Sequence, residues 1–273
     1  MSSWLQLEGK RALITGGAQG LGYAMAESLA AVGVRILIAD IDEECGRKAV
    51  DALPPPSEGR HAFSHCDVTR KEDAESAVAC AMDQWGGLDI LVNNAGIVVA
   101  RMLVDPAGKE ELTEEILDRV MGINMKGLFL CAQAAARQMI KSGSGVIINV
   151  ASESGSEGSQ GQSAYAATKA AAYNLTYSWA RELGPQGIRV VGIAPGILEA
   201  TAFRSEAYEE SLAYTRGISA EALREKYACP TSIPLGRSGK LTEIADLVSF
   251  LASERSSYIH GTVINISGGK SRA

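Results

Sequence analysis

Tyr165 and Lys169 lie four residues apart in Tyr165-Ala-Ala-Thr-Lys169, behind a serine-rich stretch that begins at Ser152. On a helix, positions i and i+4 share a face, so the phenol and the ammonium can point into one site. A free tyrosine titrates near about 10 and is a poor base at neutral pH. A fixed cation beside it favours the phenolate and lowers that value. The pair therefore reads as a proton-transfer device, provided that something in the site is oxidised or reduced. Taken alone, the same two residues are ordinary solvated neighbours on a helix, so the rest of the chain must decide.

The other end of the chain supplies what the device needs. Lys10 to Thr15 reads as a short buried strand, followed by Gly16-Gly17-Ala18-Gln19-Gly20-Leu21-Gly22 and an alanine-rich helix to about Val32. Strand, glycine-rich turn and helix make the first unit of a dinucleotide-binding fold. Gly16 permits the tight turn, Gly20 lets backbone approach a pyrophosphate, and Gly22 allows close packing of helix on strand. The helix N-terminus offers free N–H groups and positive dipole to phosphates. Gly16, Gln19, Gly20, Leu21 and Gly22 are thus the first cofactor candidates. A second strand, Val34 to Ala39, ends in Asp40, whose carboxylate can accept from ribose hydroxyls and repels a 2′-phosphate. Ile41-Asp42-Glu43-Glu44 follows without a cation, and Gln19 is neutral, so NAD is expected over NADP. Asp42 suits the cap of the next helix.

The alternation continues. Strands are expected at His61 to Cys66, Leu88 to Val92, Val146 to Val150, Ile188 to Ile193 and Val263 to Ile266. Helices are expected at Glu43 to Leu53, Lys71 to Trp85, Glu114 to Lys141, Ala164 to Leu183 and Thr242 to Ser253. This predicts an α/β fold, a doubly wound seven-stranded parallel sheet of the Rossmann type. Ligands in such sheets bind at the carboxyl ends of the strands. The whole chain, 1–273, reads as one domain, because the strands use all of it and no linker divides it. Pro54-Pro55-Pro56 only stops a helix. The stretch of about 197–231 is longer than a simple strand-to-helix connection. It reads as helical pieces, Glu206 to Thr215 and Ala220 to Tyr227, forming a mobile cover over the site.

Thr15-Gly-Gly-Ala-Gln-Gly-Leu-Gly22, Asp67, Asn93-Asn-Ala-Gly96, Asn124, Ser152, Tyr165-x-x-x-Lys169 and Pro195-Gly196, in this order, closely resemble the short-chain dehydrogenase/reductase family. The resemblance implies a catalytic group of Asn124, Ser152, Tyr165 and Lys169. Tyr165 would exchange the substrate proton, and Lys169 would lower its pKa and bind the nicotinamide ribose. Ser152 would hold the substrate oxygen, and Asn124 would relay protons through water. The same resemblance adds Asp67, Val68, Asn94, Ala95, Gly96, Pro195, Gly196 and Ile197 to the cofactor contacts, and implies a homotetramer whose main interface pairs long helices. The chain departs from the family pattern in reading Val190-Val191-Gly192, in placing Thr201 rather than residue 200 at the usual threonine, and in Ser267-Gly268-Gly269. The stretches Ser152 to Tyr165, Gly192 to Glu199, Tyr208 to Glu210, Tyr214 to Arg216 and Gly268 to Arg272 are similar to those of the family's dehydrogenases for sugar-alcohol phosphates. That similarity implies NAD-dependent oxidation of D-glucitol 6-phosphate to fructose 6-phosphate. A free polyol or another alcohol or ketone stands as the alternative. A nucleotide sensor without chemistry would have no use for Tyr165 and Lys169.

An anionic substrate needs cations or free N–H groups. Arg101, Arg204, Lys270 and Arg272 lie on loops that should reach the pocket, while Glu153, Glu157 and Gln162 could bind polyol hydroxyls. The formal charge of −6 over 273 residues provides no basic field for nucleic acid. No run is long enough to span a membrane. Five cysteines without a Cys-x-x-Cys pair suit a reducing, cytoplasmic setting. His61, His65 and His260 are scattered, so no metal is expected.

Overall fold

A computed structural model of the protein describes residues 2–201, 204–228 and 231–271. Seven strands form one sheet: β1 (Arg11–Thr15), β2 (Arg35–Asp40), β3 (Ala62–His65), β4 (Ile90–Asn93), β5 (Gly145–Val150), β6 (Ile188–Pro195) and β7 (Val263–Ile266). Their order is β3-β2-β1-β4-β5-β6-β7 and every pairing is parallel. The chain starts at β1, runs to one edge, returns to β4 and runs to the other. That reversal between β1 and β4 opens the crevice where such sheets bind ligands.

The helices, in chain order, are α1 (Ser2–Leu5), α2 (Gly20–Ala31), α3 (Glu43–Ala52), α4 (Lys71–Trp85), α5 (Glu114–Met121), α6 (Leu128–Ser142), α7 (Ser154–Glu157), α8 (Ser163–Leu183), α9 (Glu206–Thr215), α10 (Ala220–Ala228) and α11 (Leu241–Ala252). Strand residues alternate between the two faces. Ile14, Ile38, Val92 and Ile148 pack with Met25 and Leu29 of α2 and with Val248 and Leu251 of α11. Leu13, Leu37, Leu91 and Ile147 pack against α4 and α6 on the opposite side. Because both faces are covered, the strands are continuous apolar runs. Asp42 caps α3, its carboxylate accepting from the Cys45 amide.

One expectation changes. The single helix expected over Glu114 to Lys141 is α5 and α6 joined by a π-turn, Gly122–Gly127, which contains Asn124. The extra residue in that turn brings Asn124 inward, where it is 2 % exposed. The cover is hydrogen-bonded to its surroundings. The Gln162 amide donates to Tyr208 Oη at 2.6 Å, Gln160 donates to the Thr215 carbonyl, and Tyr214 donates to both Asp105 carboxylate oxygens. These bonds fasten α9 to the loop after Ser152 and to the loop after β4.

The bases of β1 and β4 are clamped by an ion pair. Asp89 accepts from Arg11 Nε at 2.7 Å, from Nη2 at 2.9 Å and from the Arg11 amide at 2.9 Å. Burial pushes the Asp89 carboxyl upward, but the Arg11 hydrogen bonds and charge outweigh it and hold the acid below its usual range. Replacing Asp89 with Ala should cost about 2–3 kcal/mol, read as a lower melting temperature near pH 7. A depressed folded pKa gives stability that is present above the unfolded value of about 4 and is lost as pH falls through the folded one. The gap between the two proteins should therefore narrow below about pH 4.

Candidate active site

A cavity of about 760 Å³ opens at the carboxyl ends of the strands, within the size range of ligand pockets. At one end the glycine loop lies under the start of α2. Gly16 and Gly20 adopt φ of +62° and +57°, a region closed to most side chains. A Cβ on Gly22 would sit 2.0 Å from the Gly16 carbonyl oxygen, so only glycine lets α2 come this close. Gln19, at the N-cap of α2, makes no side-chain cap bond. The first amides of α2 are therefore not covered by their own cap, as a phosphate cradle requires. Asn94 stabilises the loop from β4, its amide donating to the Thr15 and Gly16 carbonyls at 3.0 Å each. Thr15 Oγ1 accepts from the Asn94 and Ala95 amides, which joins the ends of β1 and β4. Asp40 is fixed on the same wall by the Ala18 and Asp42 amides.

The catalytic candidates meet at the other end. α8 brings Tyr165 and Lys169 to the cavity wall, and the end of β5 brings Ser152. A Cβ on Gly155 would lie 2.7 Å from the Lys169 carbonyl carbon, so the bare backbone at 155 lets α7 seat against α8. The Lys169 ammonium donates to the Val150 carbonyl at 2.7 Å and lies 5.6 Å from the Tyr165 ring centroid. Asn124 exchanges hydrogen bonds of 2.8 Å with both backbone groups of Ile97 and donates to Thr168 Oγ1. It lies behind the wall rather than on it.

The electrostatics correct one expectation. Burial pushes the Tyr165 phenol above the ordinary tyrosine value; the Ser152 hydrogen bond pulls it down and the Glu153 charge pushes it up again. Lys169 does not reverse this: the phenol stays above its ordinary value, and burial lowers the lysine's own pKa to about 8. Both groups thus favour their neutral forms more than in water.

Of the cofactor candidates, Gly16, Gln19, Leu21, Gly22, Asp40, Asp67, Val68, Asn94, Ala95, Gly96, Tyr165, Lys169, Pro195 and Gly196 line the cavity. Gly20 does not, and Ile197 lines a separate cavity of about 110 Å³ beside Leu235, Arg237 and Ser267. Its carbonyl accepts from the Gly239 amide at 2.9 Å. Thr201 lines the main cavity. The substrate candidates divide. Arg204 lines the cavity. Arg101, Glu153 and Gln162 are not on its lining; Arg101 is ion-paired with Glu110, Glu153 with Lys270, and Gln162 is hydrogen-bonded to Tyr208 and Ser159. Arg272 lies outside the described residues. Arg119 of α5 also lines the cavity, a cation on a helix face that nothing in its sequence context distinguishes from a solvated surface residue. Among the described residues no cluster of His, Cys, Asp and Glu has the makings of a metal site, and no helix is long and apolar enough to cross a membrane.

The glycine cradle, the exposed start of α2 and the carboxylate at the end of β2 fit a dinucleotide, and Gly16, Gln19, Gly22, Asp40 and Asn94 to Gly96 are the residues that would hold it. Comparison with known proteins agrees. The short chain dehydrogenase family matches residues 10–211. A sorbitol-6-phosphate 2-dehydrogenase of Klebsiella pneumoniae is 46% identical over 275 residues, covering 100% of both chains. A sorbitol dehydrogenase of Cereibacter sphaeroides is 37% identical, covering 97% of this chain and 98% of its own. A crystal structure of a short-chain dehydrogenase/reductase from Mycobacterium marinum superposes with a TM-score of 0.83 at 35% identity, covering 100% of both chains. With its parallel seven-stranded sheet and its serine, tyrosine and lysine on one cavity wall, this chain belongs to the short-chain dehydrogenases, oxidoreductases that use NAD(P).

Proposed function

We propose that this enzyme oxidises a sugar-alcohol phosphate, D-glucitol 6-phosphate, to fructose 6-phosphate with NAD. The observation that carries the substrate reading is Arg204, a cation on the wall of the cavity that also holds Ser152 and Tyr165. The full-length similarity to the Klebsiella pneumoniae enzyme supports it. In the oxidation direction Tyr165 Oη takes the hydroxyl proton as the C–H bond breaks. Ser152 Oγ holds the substrate oxygen and stabilises charge that develops on it. Lys169, fixed by the Val150 carbonyl, orients the ribose side of the cofactor and supports the phenolate. Asn124, held in the π-turn, keeps the Ile97 backbone and Thr168 in place behind α8. The bound dinucleotide supplies the hydride acceptor, and the protein orients it.

NAD is supported by Asp40, whose carboxylate lines the cavity and would repel a 2′-phosphate, and which no Arg or Lys follows directly in the chain. Asp40→Ser should raise the kcat/KM ratio of NADP to NAD by about ten- to a hundred-fold. The free thiols Cys45, Cys66, Cys80 and Cys131 support a reducing, cytoplasmic setting. Phe129 of α6 and Tyr177 of α8, both large and exposed, support helix pairing in a homotetramer, which light scattering would test. We take the segment of about 197–231 as the substrate cover of a single domain. The deciding experiment is the initial rate of NAD reduction with D-glucitol 6-phosphate beside free D-glucitol. A much higher kcat/KM for the phosphate is expected. Turnover of the free polyol alone would discard the phosphate pocket and keep the dehydrogenase.

A further inference from the structure

The segment after β7 reaches the catalytic loop through a partly buried ion pair. Lys270 Nζ lies 2.6 Å from Glu153 Oε1, 117 residues away in the chain. Glu153 is the residue after Ser152, and it is 8 % exposed. Its other oxygen, Oε2, is buried and has no hydrogen-bond partner among the described residues. That oxygen sits where residue 196 has no side chain: a Cβ on Gly196 would be 3.1 Å from it and 2.8 Å from Ser267. The segment bearing Lys270 is itself anchored. The Lys270 amide donates to the Ser267 carbonyl, the Ser271 amide donates to Ser267 Oγ, and the Asn265 amide donates to Ser271 Oγ. The Glu153 amide donates to the Pro195 carbonyl. Glu153 is thus seated against the ends of β6 and β7 by its backbone and its carboxylate together.

A buried carboxylate is tolerable only when paired, and removing one partner leaves a charge that cannot be solvated. Among the described residues, the charged and titratable groups around Glu153 are Tyr165 and Tyr173 of α8, with Lys169 one turn along from Tyr165; Glu157 on its own segment; and Lys270 from the segment after β7. Among the described residues Lys270 is the cation paired with Glu153, and its loss would leave the Glu153 charge bearing more strongly on the tyrosine.

We infer that Lys270 and Glu153 are a positioning pair: the segment after β7 neutralises the carboxylate next to Ser152 and so sets the charge under which Tyr165 exchanges its proton. This rests on the reading of Tyr165 as the proton acceptor. It also removes Lys270 from the substrate-binding cations, since its charge is spent on Glu153.

The test is the pH midpoint of kcat/KM for alcohol oxidation, measured with whichever of D-glucitol 6-phosphate and D-glucitol the wild type turns over faster. Lys270→Met leaves Glu153 unpaired and should move the midpoint to higher pH by about one unit. Glu153→Gln leaves Lys270 unpaired and should move it to lower pH. Lys270→Arg and the double variant E153Q/K270M should stay near wild type, since each leaves the pair balanced. A pair that only braces the loop would lower kcat in every variant without moving the midpoint, and that result overturns the inference. So does a double variant that shifts with Lys270→Met. Should Lys270→Met fail to fold, the acid shift of Glu153→Gln and its return in the double variant decide the matter. Tyr165→Phe is the control: turnover retained there sinks the reading of Tyr165, whereas turnover lost there with unshifted midpoints sinks the pairing alone.

Discussion

Tyr165→Phe should lower kcat by about 10²–10⁴-fold, the range that a positioned acid–base group contributes, while dinucleotide affinity stays near wild type. Phenylalanine keeps the ring, so the packing on α8 and the cation on its face survive, and only the exchangeable proton goes. Cofactor quenching of tryptophan fluorescence would measure the affinity, and single-turnover reduction of NAD would measure the loss. Retained turnover would sink the assignment. The pH dependence has a definite sign. Burial holds the Tyr165 proton above the ordinary value, so the phenolate needed to accept a hydroxyl proton becomes more populated as pH rises. Oxidation should climb toward alkaline pH and carbonyl reduction, which needs the phenol, should fall. The burial of Lys169, which titrates near about 8, makes its cation sensitive in the same range. Lys169→Met should therefore raise the oxidation midpoint and weaken dinucleotide binding together, a pairing of effects that Tyr165→Phe does not produce.

Much of this arrangement is legible in the sequence because its causes are local. Strands buried on both faces leave apolar runs, and Ile36 to Ala39 or Val190 to Ile193 show them plainly. Glycines that must accept positive φ or a bare approach, such as Gly16 and Gly22, mark the cradle. Asp42 caps its helix as any Asp at that position does. What is hidden depends on partners distant in the chain or on small changes of period. The π-turn at Gly122–Gly127 inserts an extra residue into a helical pattern whose apolar spacing continues across it, so one unbroken helix is the natural reading. Arg101 and Lys270 look like available cations until their carboxylates are found, Glu110 across a loop and Glu153 across the sheet. Gln162 looks like a ligand for hydroxyls until Tyr208 Oη of α9 is found to accept its amide N–H. Tyr165 looks acidified by its lysine until burial is counted, and burial depends on how α7, α8 and β6 close around it. In each case the chemical type is plain in the sequence and its commitment is not.

Arg204 is where that distinction matters most for specificity. Its Nη2 donates to Glu209 Oε1 at 3.1 Å, and its guanidinium stacks on the Tyr227 ring at 3.8 Å. Glu209 gives its other oxygen to Arg224 Nε at 2.7 Å, so one carboxylate serves two guanidiniums. Glu206 approaches Arg224 only at 3.8 Å. Arg204 Nε is buried and has no partner among the described residues. A guanidinium with half-shared compensation, held flat by an aromatic ring on the cavity wall, is suited to a phosphate ester, which accepts paired N–H bonds. Arg204→Met, which keeps the stem over Tyr227 and removes the charge, should lower kcat/KM for D-glucitol 6-phosphate by about 10- to 100-fold. Most of the loss should fall in KM, because the phosphate is bound equally in the ground and transition states. Free D-glucitol, having no phosphate, should lose little. Equal losses with both substrates would make Arg204 a brace for the cover, acting through Glu209 and Tyr227. An unchanged kcat/KM with the phosphate would move the anion subsite elsewhere on the cavity wall, with Arg119 of α5 the next residue to replace. Arg204→Lys separates charge from geometry. A lysine keeps the cation but loses the planar fork and the stack, so it should recover part of the affinity if charge dominates and almost none if the paired hydrogen bonds do.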